Sequence, residues 1–238
     1  MSSSAVQDYL KTIYHLSRSE EAAGTSSIAE RLNVAAASVT GMLKRLAERG
    51  LVEHVPYYGA RLTAEGEDEA VRLIRRHRVL ELFLVQVLGY TWDRVHEEAE
   101  RLEHAVTDEL IDRMAAVLGG PEIDPHGAPI PGAGEHFVER TYPPLSELAI
   151  GCPAVLRRVP DEDPEALRYL ASLDLMPGAR LEVLERAPFN GPVRLRVQGQ
   201  EQMIGAELSR TLQVEPASQQ TGSKRRPRKG SAMGETNV

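Results

Sequence analysis

Apolar positions along the first sixty residues recur in short helical bursts and then alternate. Val6, Tyr9, Leu10, Ile13, Tyr14 and Leu16 fall at spacings of three and four and predict a first helix over residues 4–17. After a turn near Glu20 to Gly24, Thr25 or Ser26 can cap a short helix through SIAERLN, with Ile28, Ala29 and Leu32 on its inner side. The stretch AAASVTGMLKRLAERG follows, with Val39, Met42, Leu43 and Leu46 apolar and Gly50 as its stop. LVEHV (residues 51–55) then reads as a strand, PYYG as a turn and ARLT as a returning strand. Two short helices at a tight junction followed by a two-stranded wing predict a winged helix-turn-helix over residues 1–63.

The next segment is helical over residues 64–134. Thr63 caps a long helix over 64–87, with Val71, Ile74, Val79, Leu82, Phe83 and Val87 on its apolar side. VHEEAERLEHAVTDELIDRM (residues 95–114) is expected as one continuous helix, held by Leu102, Val106, Leu110, Ile111 and Met114. Both helices carry more apolar surface than one core stripe needs, which predicts a partner related by two-fold symmetry, a homodimer. GGPEIDPHGAPIPGAG (residues 119–134) is a Pro/Gly-rich linker. Residues 135–216 read as a small β domain, a five-stranded barrel with one short helix, and the 217–238 tail has no apolar set and is expected to be disordered. The fold class is therefore mainly α with a small β domain.

Charge changes this picture locally. The chain carries a formal net charge of −7, yet residues 1–62 hold 7 basic and 6 acidic groups, whereas residues 63–120 hold 7 and 13. The amino-terminal region escapes the acidic bias and can face phosphate; the acidic middle suits cations. The basic KRRPRK run of the tail can add non-specific attraction to DNA or remain an ordinary solvated tail. A single cysteine, Cys152, excludes a disulfide framework and a cysteine-rich zinc site. With no apolar run of membrane-spanning length and no secretory pattern, a cytoplasmic protein is expected.

Two sets of residues carry chemistry. Ala36, Ala37 and Ser38 are short side chains that let the third helix approach DNA, Thr40 can meet a thymine methyl group, and Lys44 or Arg45 a phosphate. Tyr57, Tyr58 and Arg61 near the wing tip suit phosphate or minor-groove contact. The alternative is a small helical domain with solvated polar faces that serves protein contacts. In the acidic middle, His77 and Glu81 lie four apart on one helix, and His96, Glu100, Glu103 and His104 lie along the next, with Asp8 available from the first helix. A lone His–Glu pair is ordinarily structural, but burying several carboxylates together without a cation is expensive. Hard oxygen donors with imidazole and no thiolate suit Mn(II) or Fe(II). No HExxH pattern and no nucleophile paired with a base is present, so an enzyme is not expected and the metal reads as a ligand that changes shape.

DYLKTIYHL (8–16), SIAERLNVAAASVTGMLKRLAERGLV (27–52), LTAEG (62–66), RHRVLELFL (76–84), VHEEAERLEHAVTDELIDRM (95–114) and PHGAPIPG (125–132) together resemble the metal-dependent repressors of the diphtheria-toxin-regulator type. The β-rich region resembles that family's SH3-like domain. The resemblance implies that divalent metal joins the DNA-binding and dimerisation domains, and that dimers bind palindromic operators and shut off metal-uptake genes. Carried over by position, Asp8, Glu100, Glu103 and His104 match the primary site, and His77, Glu81 and His96 the ancillary one. Iron-type members have methionine and cysteine where this chain has Asp8 and Glu100, which implies manganese over iron. Lys11 stands where two-domain manganese members carry a bridging glutamate, which implies two separated sites. Three-domain members lend an SH3-domain glutamate to the ancillary site. Here that implies one acidic ligand from Asp161 to Glu165, with Asp163 opposite that glutamate.

Overall fold

The structure is a computed structural model of the 238-residue chain, and it describes residues 3–17, 22–55, 58–134, 137 and 139–217. Helices α1 (Ser4–Leu16), α2 (Thr25–Arg31) and α3 (Ala36–Glu48) are followed by strands β1 (Val52–Val55) and β2 (Gly59–Leu62). The strands pair antiparallel with Val52 opposite Leu62 and Val55 opposite Gly59. This is the winged helix-turn-helix that the apolar spacing predicts. Its core takes Leu10 and Ile13 from α1, Ile28 from α2, Val39 and Leu46 from α3, and Leu51 beside the wing. The start of α2 differs from expectation: Gly24 is its cap residue, and neither Thr25 nor Ser26 caps it by side chain.

Helix α4 (Ala64–Gln86) joins two cores. Thr63 Oγ1 accepts from the Gly66 backbone N–H at 3.1 Å, the expected cap. At 23 residues the helix is about 35 Å long at roughly 1.5 Å per residue, enough to reach from one core to the next. Ala70 and Ile74 pack in the winged core, whereas Val79, Leu80 and Leu82 pack with Ala99, Ile111 and Ala115 in a second one.

The expected single helix over 95–114 is instead two. Helix α5 (Val95–Leu102) ends before Glu103, and α6 (Asp108–Val117) begins at a new cap, with Thr107 Oγ1 accepting from the Leu110 N–H at 3.3 Å. Thr107 followed by Asp108 and Glu109 is a start signal that the continuous apolar stripe hides. Leu102, Val106 and Met114 still reach the second core across the break.

The linker and the β domain are keyed together. Asp124 Oδ1 accepts from the backbone N–H groups of His126 and Ala128, both at 2.9 Å, and Val159 N–H donates to His126 O at 3.0 Å. Between them Gly127 has φ +90°, and a Cβ there would lie 1.8 Å from Arg157 O, so only glycine fits. Strands β3 (Pro153–Arg158), β4 (Arg180–Arg186), β5 (Val193–Val197), β6 (Gln200–Ile204) and β7 (Gln213–Pro216) form one antiparallel sheet in the order β6-β5-β4-β3-β7. Helix α7 (Pro164–Ser172) buries Leu167 and Leu170 in its core, and α8 (Ala206–Thr211), which the apolar pattern does not predict, precedes β7. Trp92, from the loop between α4 and α5, packs against this third core and stacks on His126 with ring centroids 5.8 Å apart. The basic tail from residue 218 lies outside the described residues.

Candidate metal centre

Four segments converge on one cleft: α1 brings Asp8 and Lys11, α4 His77, α5 His96 and Glu100, and the turn after α5 His104, with Glu81 of α4 and Glu103 of that turn fully buried beside them. One group unites Asp8, Glu103 and His104, with donor atoms all within 4.8 Å of one another. Asp8 Oδ1 lies 3.0 Å from His104 Nε2, and His104 Nδ1 lies 2.8 Å from Gln7 Oε1. His104 reaches α1 from the turn that follows α5. A neighbouring group is His77, His96 and Glu100. Glu103, fully buried, belongs to the edge of both, with His77 Nδ1 at 2.5 Å from Oε2. Lys11 Nζ lies between them, 2.7 Å from Glu100 Oε1 and 3.1 Å from each oxygen of Glu103.

A second place is built around Glu81, which is fully buried. Its Oε1 lies 3.1 Å from both His77 Nε2 and His96 Nδ1, and its Oε2 lies 3.5 Å from His126 Nδ1. Glu81 groups with His96 and Asp161 on one side and with Asp124 and His126 on the other. Among the described residues, Glu81 Oε2 and His126 Nδ1 are buried side-chain atoms without a hydrogen-bond partner, as is Asp124 Oδ2, whose nearest cation is Arg78 Nε at 3.7 Å. Buried orphan oxygens facing an imidazole nitrogen are the donor set a divalent cation satisfies, so the residues fit a metal.

One position differs from expectation here. Asp163 does not point into the cluster: its Oδ1 accepts from the Glu165 and Ala166 N–H groups at 2.9 and 3.2 Å and starts α7. Asp161, two residues earlier, is the member of the acidic run that reaches Glu81 and His96. Asp124 and His126 carry no helical periodicity, and sequence reasoning passed over them as linker; the signal was an Asp-Pro-His triplet directly before a glycine.

The electrostatics match a cation-binding cleft. Burial, helped by Glu100 and Glu103 and opposed by His104, raises the Asp8 carboxyl above its ordinary range. Burial pulls the His77 imidazolium down, but the Glu81 charge and the hydrogen bonds that the imidazolium donates to Glu103 and Glu81 prevail over it and over Lys11, and its pKa is pushed up to about 10. For His126, burial is likewise outweighed by Glu81, whose Oε2 lies 3.5 Å from its Nδ1, and by the Asp124 charge, to about 9. Burial and the Glu81 charge raise Asp124 to about 6. A metal-ligating imidazole must be neutral, so ion uptake at His77 expels a proton. Because that folded-state pKa lies above neutrality, metal affinity is expected to rise with pH across roughly pH 6 to 8. Calorimetry in two buffers of different ionisation enthalpy reads the proton release; a pH-independent affinity would contradict it.

In the winged domain, Ala36, Ala37, Ser38, Thr40, Lys44 and Arg45 are all exposed on α3. Thr40 Oγ1 donates to Ala36 O at 3.1 Å. Tyr58 is 65% exposed near the wing turn and Arg61 is exposed on β2. Tyr57 lies outside the described residues.

Three family models cover most of the chain: the N-terminal DNA binding domain of iron dependent repressors over residues 1–60, their metal binding and dimerisation domain over 63–132, and a FeoA domain over 144–216. The iron-dependent repressor IdeR of Mycobacterium tuberculosis is 31% identical over 220 residues, which is 87% of this chain and 95% of that protein. The chain belongs to the iron-dependent repressor family. A manganese-dependent transcriptional repressor in complex with manganese superposes with a TM-score of 0.81 at 39% identity, over 89% of this chain and 100% of its own. The manganese regulator SloR superposes with a TM-score of 0.73 at 35% identity, over 89% and 98%. The family is one of metal-dependent, DNA-binding transcriptional repressors with iron- and manganese-sensing members, and not of enzymes. No helix among the described residues is long and apolar enough to cross a membrane.

Proposed function

We propose that this protein is a manganese-activated repressor of metal-uptake genes, acting in the cytoplasm as a homodimer on palindromic operator DNA. The observation that carries the choice of metal is the group Asp8, Glu103 and His104, with Glu100 beside it: every donor is oxygen or imidazole nitrogen. Such hard donors favour Mn(II) over ions that seek thiolate or thioether. The manganese-dependent repressor and SloR superpositions support the same metal. The iron-activated alternative draws on the relation to IdeR, and anaerobic comparison of Mn(II) and Fe(II) in operator binding separates the two.

Asp8, Glu100, Glu103 and His104 would hold the activating ion, and Glu81, His96 and Asp161, with His77, His126 and Asp124 around them, the ancillary one. When bound, the ion supplies a point of positive charge on which carboxylates from separate elements converge. Asp8 belongs to α1 of the reading domain, and Glu103 and His104 to the turn between α5 and α6. Residues from both sides drawn to one point set the angle of α3 relative to the middle domain. Val87, Leu88, Tyr90, Leu110 and Val117 are large apolar residues exposed on that middle domain and supply a two-fold contact. In a dimer the fixed angle sets the spacing of two α3 helices to successive major grooves, where Ser38 and Thr40 reach bases and Lys44, Arg45, Tyr58 and Arg61 the backbone. The coupling between metal and DNA is reciprocal.

His104→Ala tests this. Operator affinity measured with and without Mn(II) is expected to lose most of its metal dependence, because His104 closes onto Asp8 at 3.0 Å. An unchanged response to Mn(II) would sink the reading.

A further inference from the structure

Lys11 is absent from the ligand set and yet sits at its centre. It follows Asp8 by three residues on α1, so one face of that helix delivers a carboxylate and an ammonium to the same cleft. Nζ lies 2.7 Å from Glu100 Oε1, 3.1 Å from each Glu103 oxygen and 3.4 Å from His77 Nδ1. These neighbours come from both candidate groups, Glu100 and Glu103 as acceptors and His77 as a close contact, so the ammonium occupies the seam between them. Burial pulls the ammonium toward its neutral form, but the charges and hydrogen bonds of Glu103 and Glu100 prevail and hold it above the ordinary lysine value.

We infer that Lys11 is a tethered competitor cation that sets the threshold of metal sensing. The inference rests on the metal-centre reading above and adds to it a residue that opposes the ion. An arriving divalent ion needs at least one Glu103 oxygen, and both are within reach of Nζ. It also meets a positive charge a few ångströms away inside a partly buried cleft, where screening by water is incomplete. Being covalently attached, the ammonium competes at a high effective concentration that dilution does not lower. The opposite role, in which Lys11 only props Glu103 in a ligating pose, is less well supported: burial and the 2.5 Å contact with His77 Nδ1 already orient that carboxylate. The competitor raises the Mn(II) concentration at which the protein responds, and its contacts with Glu100 and Glu103 tie α1 to α5 by a charge that belongs to the chain.

Lys11→Met in the full-length protein tests the inference. Equilibrium dialysis with Mn(II) is expected to show affinity about tenfold or more tighter than wild type, because the repulsion and the competition are both gone. Lys11→Arg, which keeps the charge, is expected to bind no tighter than wild type. Removing the ammonium leaves Glu100 and Glu103 without their cation, so Lys11→Gln, which keeps an N–H donor, is a second neutral variant. Should either neutral variant fold only with metal, the Mn(II) concentration that restores the fold is read instead. A neutral variant whose dissociation constant or refolding midpoint equals or exceeds the wild-type dissociation constant overturns the inference. Failure of wild type itself to bind Mn(II) would instead overturn the metal-centre reading, so the two failures are distinguishable.

Discussion

Glu103→Ala is expected to abolish metal-activated operator binding and to lower Mn(II) affinity by on the order of 100-fold or more, beyond what is typical for groups that only orient a ligand. The size follows from position. Glu103 is fully buried in the turn after α5, its Oε2 meets His77 Nδ1 at 2.5 Å, and both oxygens lie 3.1 Å from Lys11 Nζ. Removing one partner of a buried charge pair costs about 3–5 kcal/mol, and because Lys11 keeps Glu100 the loss falls near the lower figure. Stabilisation by metal vanishes as well: an ion at about 100 times its dissociation constant adds about 2.7 kcal/mol to the folded state, and a chain that no longer binds it gains nothing. Glu103→Gln separates the two effects, since the amide keeps the shape and much of the hydrogen bonding but removes the charge. It is expected to fold well and still to lose Mn(II) activation. Dialysis against Mn(II), operator anisotropy and urea melts read the three quantities; wild-type operator response in either variant would contradict the assignment.

The candidate ligands are legible in the sequence because helices advertise them. His77 and Glu81 four apart, and His96 and Glu100 four apart, put donors on one face of α4 and of α5, and the structure brings those faces together. The winged domain was legible for a similar reason: Val39, Met42, Leu43 and Leu46 recur at helical spacing and all are buried. What escaped is what depends on contacts distant in sequence or on a single local bond. The stripe Leu102, Val106, Met114 reads as one helix because apolar positions keep their phase across the break, while the bond from Leu110 N to Thr107 Oγ1 starts a second helix after α5 has stopped at Leu102. Asp161 and Asp163 are indistinguishable by composition. Pro164 decides between them, because it begins α7 and commits Asp163 to capping, which leaves Asp161 free to turn toward Glu81. Asp124 and His126 owe their place to Gly127 seated against β3, a contact with no periodic signature.

That three-way meeting predicts the second large effect. Glu81 meets α5 at His96 and the linker at His126, and Asp161, at the edge of the β domain, brings a carboxylate within 4.8 Å of it. Glu81→Gln is expected to remove the ancillary ion, so that bound Mn(II) falls from two per chain to one. Affinity at the weaker place should drop by on the order of 10- to 100-fold. The neutral amide also withdraws the charge that holds the His77 and His126 pKa values up at about 10 and about 9, so both imidazoles lose protons more readily. Asp161→Asn provides the comparison. Asp161 lies at the edge of the β domain, so its loss should weaken the same ion while leaving Trp92 stacked on His126 and Arg168 paired with Asp93 at 3.0 Å. Metal content by mass analysis, with proteolysis of the linker over residues 119–134 as the measure of domain seating, distinguishes the two. Glu81→Gln should lose the second ion and open the linker to protease, whereas Asp161→Asn should lose the ion but keep most of the protection. Two ions retained in both variants would show that the buried orphan atoms of Glu81, Asp124 and His126 are not metal donors, and the ancillary assignment would fall while the centre at Glu103 stood.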